Sequence, residues 1–367
     1  QCPPVGARCA PLQSAPIHVI AVNAHEDTPA AKIVVEFSAC FRYNYTITHQ
    51  AEPGHGPPGH ETKERIMKFH IVSDSSCDLG RAGLERIGVS MVSYYVGFED
   101  EDYFREERDI STHEFYQRMA DRPGVFPKTS MPTMEDYLEA FRPPAAQGMP
   151  ILCVCLNAAF SGSYQSALNA AEELRAEFPG VQVKVLDSTL ATVLQGLFVE
   201  EAAALRDAGL TLEETVEALA PLPATGRIFF TTNDLEYLRH GGRIGRAAAA
   251  TGALLKVKPL IGYKDAGLIS DGIAQGRKKS LAKVRELFFR HLQREGVNLE
   301  DYRLATGFGL DREEHQDFAQ AVYEGLLELG ADRPEVKRPY QIGVTIGVHT
   351  GPSPIGVGLI RRAARFG

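Results

Sequence analysis

The segment around residue 161 constrains the fold more than any other part of the chain. The apolar run Ile151-Leu152-Cys153-Val154 precedes Ser161-Gly162-Ser163, and an apolar-periodic segment then continues to about Glu177. These lengths predict a buried strand, a tight loop and a helix. Hydroxyls and unpaired N–H groups at the start of a helix can bind a carboxylate or phosphate, although a simple N-cap would use the same residues. The loop is therefore a candidate anion site.

The alternation of short apolar runs and helical periodicity predicts the fold class. From residue 67 to about residue 208 the runs end in polar loops and are followed by helices, which is typical of a doubly wound parallel sheet. The segment Pro221-Leu222-Pro223-Ala224 reads as a linker, and the pattern after it is that of a mixed sheet with helices. We therefore predict an α/β domain at residues 67–223 and a smaller α+β domain at residues 224–367.

Several local predictions bear on the site. Residues 90–96 and residues 342–348 each read as one strand, and residues 356–365 read as a closing helix. Ser111, Thr133 and Thr211 each precede an acidic residue by three positions, which is the spacing of a helix capping box. The two hydroxyls in Lys128-Thr129-Ser130 lie beside a turn fixed by proline, where they serve turn geometry or face a ligand.

Composition excludes several function classes. The chain has 367 residues and a formal net charge of −8, which argues against nucleic acid as a partner. No apolar run approaches the ~18 residues of a membrane span. Cys153 and Cys155 alternate along a predicted buried strand, where reduced cysteine is expected, and no histidines or cysteines show metal-ligand spacing. We expect a cytoplasmic protein without a metal or cofactor.

The first 66 residues differ from the rest. They contain the cluster Pro53-Gly54-His55-Gly56-Pro57-Pro58-Gly59 and no helical periodicity, whereas Met67-Lys68-Phe69-His70 reads like the beginning of an α/β domain. We expect residues 1–66 to be upstream sequence translated from a mistaken start, or else a disordered extension. Asn44-Tyr45-Thr46 matches a glycosylation sequon, which carries no meaning in a cytoplasmic protein.

Six short motifs follow one another between residues 73 and 352. They are Ser73-Asp74-Ser75-Ser76, Thr129-Ser130-Met131-Pro132-Thr133, Ser161-Gly162-Ser163-Tyr164-Gln165-Ser166-Ala167, Tyr237-Leu238-Arg239-His240-Gly241-Gly242-Arg243-Ile244, Lys258-Pro259-Leu260 and His349-Thr350-Gly351-Pro352. In order and spacing they resemble the DegV family of bacterial fatty-acid-binding proteins, some of which are the acyl-carrying subunit of fatty acid kinase. The resemblance implies two α/β domains with a lipid buried between them.

The resemblance also implies roles for individual residues. Thr129 and Ser161 would hydrogen-bond the fatty acid carboxylate, with His349 nearby as a further donor whose charge depends on pH. The residues expected to support them are Ser130, Ser163, Asp74 and Ser75. Met131 departs from the family, which usually has Gln at this position. The candidate contacts for the acyl tail are Phe160, Leu190, Leu254, Leu255 and Ile346.

The basic residues Arg243, Arg246 and Arg277 stand out in an acidic chain. A solvated helix face would explain them, and the resemblance favours contact with a separate DAK-like kinase subunit or with an acyl-phosphate. No Walker-type loop occurs in the sequence, so the kinase would be another polypeptide. The prediction is a non-catalytic binding subunit that presents a long-chain fatty acid to a kinase.

Two alternatives stay open at this stage. A lipid carrier or sensor without a kinase partner would show the same sequence features. A hydrolase with Ser161 as nucleophile and His349 as base is the other alternative, but Ser161 precedes its glycine and does not form the Gly-x-Ser-x-Gly elbow.

Overall fold

The computed structural model describes residues 68–99, 101–233, 235–245, 257–331, 334 and 336–363. The predictions for residues 1–66, Arg246, Leu254 and Leu255 lie outside these residues. The strands are β1 (His70–Asp74), β2 (Val89–Val92), β3 (Tyr95–Gly97), β4 (Phe104–Arg105), β5 (Lys128–Ser130), β6 (Ile151–Cys155), β7 (Val183–Asp187), β8 (Arg227–Thr231), β9 (Val257–Lys264), β10 (Gly267–Gln275), β11 (Tyr302–Phe308), β12 (Val336–Gln341) and β13 (Ile355–Arg361). The α-helices are α1 (Gly80–Arg86), α2 (Thr112–Asp121), α3 (Met134–Ala145), α4 (Ser163–Glu177), α5 (Thr192–Asp207), α6 (Leu212–Leu219), α7 (Glu236–His240), α8 (Arg277–Arg294), α9 (Arg312–Glu328) and α10 (Val344–Thr350).

A parallel sheet in the order β2-β1-β6-β7 forms the first layer. Its strands are short and apolar because both faces are covered. Helices α3 and α4 pack on one face through Tyr137, Phe141 and Ala170. Helix α5 packs on the other face, where Ile71 and Leu194 belong to one apolar core. The predicted doubly wound parallel sheet is confirmed.

A mixed sheet in the order β10-β9-β8-β13-β11-β12 forms the second layer. Strands β11 and β12 are parallel, and the other neighbours in this sheet are antiparallel. Helices α8 and α9 cover one face through Phe288 and Val322. The opposite face packs on α5, where Val193 and Leu194 approach Gly358. Helix α5 therefore contacts both sheets, which explains why it is apolar on nearly all sides.

A small antiparallel sheet, β4-β3-β5, lies in the connection between β1 and β6. It packs with α2 and α10 around Val96, Phe115 and Val348. Residues 90–96 therefore form two strands in different sheets, and the prediction of one strand is wrong. The chain leaves the parallel sheet after Val92 and enters the small sheet at Tyr95.

The two predictions for the end of the chain are also wrong. Residues 342–348 lie mostly in α10, whose first N–H groups are satisfied by buried carboxylates: Gly343 N donates to Asp78 Oδ1 at 2.9 Å and Thr345 N to Glu106 Oε1 at 3.2 Å. This cap outweighs the β preference of a Val- and Ile-rich run. Residues 356–365 include most of β13, which is hydrogen-bonded to β8 and β11 on its two sides.

The predicted helix caps at Ser111, Thr133 and Thr211 are confirmed. Each hydroxyl accepts a hydrogen bond from the backbone N–H three residues later. The Thr133 cap begins α3 directly after the β5 segment, so it fixes the position of Thr129 relative to the parallel sheet. Among the helices that the structure describes, none has the length and apolar character needed to cross a bilayer.

Candidate ligand-binding site

A cavity of about 300 Å³ lies where the three sheets meet. This volume is within the range of small-molecule sites in proteins. The lining comes from β5, the loop before α4, the start of α5, strands β8 to β11, helix α10 and the start of β13. Most of the lining side chains are apolar. We call the polar lining residues Thr129, Ser161 and His349 the mouth.

The mouth residues come from three distant parts of the chain. Thr129 lies in β5, Ser161 precedes α4, and His349 lies in the last turn of α10. All three line the cavity, and Thr129 Oγ1 lies 3.2 Å from His349 Nε2. The structure therefore brings together the residues that the sequence predicted as a carboxylate site, and it places His349 on a helix.

Ser161 receives two hydrogen bonds on its hydroxyl oxygen. The phenol of Tyr94 donates to Oγ at 2.8 Å, and the backbone N–H of Ser163 donates at 3.2 Å. Tyr94 is buried and also lines the cavity. Sequence reasoning missed Tyr94 because it was placed in the middle of one continuous strand at residues 90–96.

His349 is a neutral hydrogen-bonding group at physiological pH. Burial, with the nearby charge of Arg243, lowers the pKa of His349 to about 4. Its Nδ1 is buried and has no hydrogen-bond partner among the described residues. An unpaired buried N–H is rarer than an unpaired acceptor, so the proton is expected on Nε2, where it donates to Thr129 Oγ1. The Thr129 proton is then available to a ligand.

The absence of a side chain at Gly241 lets the His349 ring pack directly against the backbone of Gly241. A Cβ atom at Gly241 would lie 2.0 Å from His349 Nδ1, a distance that no side chain could occupy. The Gly241-Gly242 pair therefore does more than end α7, because the absence of a side chain makes room for a mouth residue.

Two of the four predicted supporting residues, Asp74 and Ser163, lie behind the mouth. Asp74 is fully buried and accepts hydrogen bonds from Leu156 N at 2.8 Å, Gln195 Nε2 at 2.9 Å and Ser163 Oγ at 3.2 Å. Burial raises the pKa of Asp74, and these donors oppose the rise. Asp74 and Ser163 do not line the cavity; they hold the loop that carries Ser161. Ser130, in contrast, lines the cavity directly.

Ser75, the other predicted supporting residue, belongs to a second buried network. Ser75 Oγ and Thr345 Oγ1 each donate to Glu106 Oε2 at 2.6 Å. Burial raises the pKa of Glu106 to about 7. Because Glu106 also accepts from Thr345 N, this network fixes the start of α10, and Thr345 lines the cavity. Sequence reasoning missed Glu106, because Glu106 belongs to no recognisable motif and lies close to a run of other acidic residues at positions 99–102.

Much of the cavity lining is apolar. Phe160 and Ile346 line the cavity as predicted, whereas Leu190 is buried in the core and does not line it. We give the name tail wall to a set of apolar and glycine lining residues: Val193, Ile228, Phe230, Gly307, Ile342 and Gly356. Gly307 and Gly356 are paired directly across β11 and β13. The paired glycines leave the sheet surface without side chains at this point.

The basic residues differ in position. Arg243 is exposed, lines the cavity and donates through Nε to Phe160 O at 3.1 Å and through a terminal nitrogen to Gly241 O at 2.7 Å. Arg277 does not line the cavity and forms an ion pair with Glu314 at 2.7 Å. The structure therefore brings Arg243, but not Arg277, to the site.

The geometry does not form a hydrolytic triad. His349 Nε2 contacts Thr129, and the hydroxyl of Ser161 contacts Tyr94 and the Ser163 N–H. A nucleophilic serine needs a base within hydrogen-bond reach and a third group to orient that base. The structure gives Ser161 no such pairing with His349 among the described residues. In the same part of the chain, no group of three or more His, Cys, Asp or Glu residues could hold a metal ion.

Comparison with known proteins identifies the family. The model of the family described as "Uncharacterised protein, DegV family" matches residues 68–362. The chain belongs to the DegV family. A DegV domain-containing protein of Clostridium perfringens is 30% identical over 296 residues, which cover 80% of this chain and 97% of that protein. The resemblance inferred from the six motifs is thus confirmed.

Solved DegV structures share the fold. A stearic acid-binding protein from Eubacterium ventriosum is 39% identical, with a TM-score of 0.74, and the match covers 80% of this chain and 98% of that one. A fatty-acid-binding DegV family protein from Thermus thermophilus is 29% identical, with a TM-score of 0.69 and coverages of 80% and 100%. The described α/β architecture is therefore that of the DegV family.

Proposed function

We propose that the protein binds one long-chain fatty acid, with its carboxylate at the mouth and its acyl tail along the tail wall. The observation that carries this proposal is that the hydroxyl residues Thr129 and Ser161 line the same cavity, most of whose other lining residues are apolar. The fatty acids bound by the Eubacterium and Thermus proteins support it.

The mouth suits a carboxylate because it offers hydroxyl donors. A carboxylate accepts several hydrogen bonds, and hydrogen bonds to an ionised group are about twice as strong as neutral ones. Thr129 Oγ1 accepts a hydrogen bond from His349 Nε2–H, and its own hydroxyl can donate a hydrogen bond to the ligand. Because His349 is neutral in the ligand-free protein, the mouth can engage an anion through hydrogen bonds from its hydroxyl groups.

The tail supplies most of the affinity. At about 0.8 kcal/mol per buried CH₂, the ~14 methylenes of a 16-carbon chain contribute on the order of 11 kcal/mol before binding costs are subtracted. The mouth therefore sets orientation, and the tail wall sets how strongly a chain of given length is held.

Native mass spectrometry of the purified protein tests the proposal. We expect a mass increment that organic solvent releases as a single fatty acid, at one equivalent per chain. Release of a different class of compound, or failure of delipidated protein to take up an added fatty acid, would contradict the proposal. Delipidated protein with Thr129→Val and Ser161→Ala serves as the comparison, because it retains the apolar cavity and lacks both hydroxyls.

We further propose that the bound carboxylate is presented to a separate cytoplasmic kinase subunit for acyl-phosphate formation. The exposed Arg243 at the edge of the cavity supports this role, since its charge could contact a partner or a phosphate. The alternative is a lipid carrier or sensor with no kinase partner.

Charge reversal distinguishes the two roles. Arg243→Glu is expected to retain the fatty acid and to lose kinase-dependent phosphorylation. Arg290→Glu, on the exposed side of α8, is the control and should change neither. If the fatty acid bound to Arg243→Glu were phosphorylated as readily as that bound to the wild type, the docking role of Arg243 would be wrong. If no kinase subunit phosphorylated the fatty acid bound to the wild type, the carrier role would be favoured.

A further inference from the structure

We infer that Tyr94 is a positioning residue that turns Ser161 into a hydrogen-bond donor toward the bound head group. This inference rests on the proposed fatty-acid binding and adds a residue that none of the six sequence motifs contains. Its observation is the 2.8 Å hydrogen bond from the Tyr94 phenol to Ser161 Oγ inside the cavity.

Tyr94 is held from three directions. Its backbone N–H donates to Ser75 Oγ at 3.0 Å, and its carbonyl accepts from Glu106 N at 2.9 Å. Its side chain is only 2% exposed and packs in the apolar core shared by the two large sheets. The phenol therefore approaches Ser161 from a fixed backbone and a buried ring, which leaves it little freedom to turn elsewhere.

The two hydrogen bonds accepted by Ser161 determine whether its hydroxyl can still donate or accept a further hydrogen bond. A serine hydroxyl has two lone pairs and one proton. The Tyr94 phenol and the Ser163 N–H occupy both lone pairs. The remaining capacity of Ser161 is to donate its own proton, and the cavity is where an acceptor can receive it.

This arrangement selects the chemistry of the ligand. A head group that offers acceptors, above all a carboxylate, satisfies the Ser161 proton. A head group that offers only donors finds no free lone pair on Ser161. Tyr94 thus contributes to the preference for a carboxylate through Ser161 and without touching the carboxylate itself.

Tyr94→Phe removes the phenol and keeps the ring, so it isolates this contribution. Delipidated wild type, Tyr94→Phe, Ser161→Ala and the double variant are titrated with palmitate, and thermal unfolding of each ligand-free protein is recorded. We expect Tyr94→Phe to weaken palmitate binding about fivefold, which corresponds to one hydrogen bond. In the Ser161→Ala background the same change should cost less than about twofold, because the two residues act as a unit.

Tyr263→Phe is the matched control. Tyr263 also lines the cavity, but its phenol donates to Thr189 O and contacts Asn157, away from the mouth. We expect Tyr263→Phe to change palmitate affinity by the same factor in the wild-type background and in the Ser161→Ala background.

The outcomes separate the two proposals. If the wild type binds palmitate but the affinity losses of Tyr94→Phe and Ser161→Ala are fully additive, the role of Tyr94 is wrong and the proposal of fatty-acid binding stands. Failure of the wild type to bind palmitate would overturn both. A crystal structure of the palmitate complex gives a second test that needs no variant: Tyr94 should remain bonded to Ser161, and a Tyr94 phenol bonded to the carboxylate instead would contradict the inference.

Discussion

The mouth and the tail wall of the cavity are built on different principles. The mouth residues are joined to polar groups: Tyr94 donates to Ser161, Thr129 and His349 contact each other, and Asp74 holds the loop before α4. The tail wall is made of apolar side chains and of two glycines paired across β11 and β13. The difference teaches that, in the proposed complex, a few hydrogen bonds orient the ligand, whereas the shape of an apolar surface sets its affinity.

Removing both mouth hydroxyls should have the largest effect. Thr129→Val combined with Ser161→Ala is expected to weaken palmitate binding by about two to four orders of magnitude, since each hydrogen bond to a charged group contributes roughly 1.5–3 kcal/mol. The measurement is displacement of a fluorescent fatty acid from delipidated protein. Methyl palmitate, which shares the tail and lacks the charge, should lose much less. Equal losses for both ligands would mean that the variant damages the tail wall.

Glu106, behind the mouth, should make folding stability depend on pH. Its pKa is about 7 in the folded protein, against an ordinary value of 4.5, so the folded state holds a proton that the unfolded chain releases in this window. The stabilisation is therefore present below pH 4.5 and is lost as the pH rises to 7, on the order of 3 kcal/mol.

Glu106→Gln tests this dependence. Glutamine does not titrate, so urea unfolding at several pH values should show the variant gaining stability relative to the wild type as the pH rises from 4.5 to 7. Glu286→Gln, on the exposed surface of α8, is the control and should show no such trend. A constant difference between Glu106→Gln and wild type across the window would contradict the prediction.

Narrowing the tail wall should change chain-length preference by a smaller amount. A Cβ at Gly307 would lie 2.8 Å from Ile342 Cδ1 and 3.1 Å from Val193 Cγ1, so these two side chains, which both line the cavity, must shift. Gly307→Ala is expected to weaken binding of the longest chains about fourfold for each methylene displaced.

A series of saturated fatty acids of increasing length measures this effect. Binding of short chains should be unchanged, since their carboxylate still meets the intact mouth. Gly83→Ala is the control: Gly83 lies in α1, a Cβ there would meet Leu79 Cβ at an ordinary 3.5 Å, and neither residue lines the cavity. A uniform loss across all chain lengths would show that Gly307 does not limit the tail.

Met131→Gln should have the smallest effect. Met131 lines the cavity but is 45% exposed, with its sulfur over Gly162. Glutamine at this position is expected to change palmitate affinity by less than about twofold, as for most exposed substitutions. A tenfold gain in titration calorimetry would instead place a second polar contact at position 131.

The sequence was informative about the mouth and much less so about the tail wall. Hydroxyls next to glycine or proline, and capping boxes at Thr133 and Thr211, are local signals that survive folding. They led to Thr129, Ser161 and the helices that position them. Phe160 and Ile346 were found only because they flank such motifs.

The remaining features depend on contacts between distant residues. Helix α10 was predicted as a strand because its Val and Ile residues favour strands, and its cap comes from Asp78 and Glu106, more than 200 residues earlier. Strand β13 was predicted as a helix, and the pairing of Gly356 with Gly307 requires its antiparallel register. Tyr94 falls between two strands that sequence periodicity merged into one.

The position of α5 has a consequence for producing parts of this protein. The boundary near Pro223 remains a prediction from composition, yet α5 precedes it in the chain and still packs against β11 and β13 beyond it. A fragment beginning at residue 224 would leave the α5-facing side of its sheet bare, and a fragment ending there would carry a helix with one apolar side in water. We expect neither fragment to be a stable monomer when it is expressed alone. Co-expressed fragments should associate through the packing of α5 on β11 and β13.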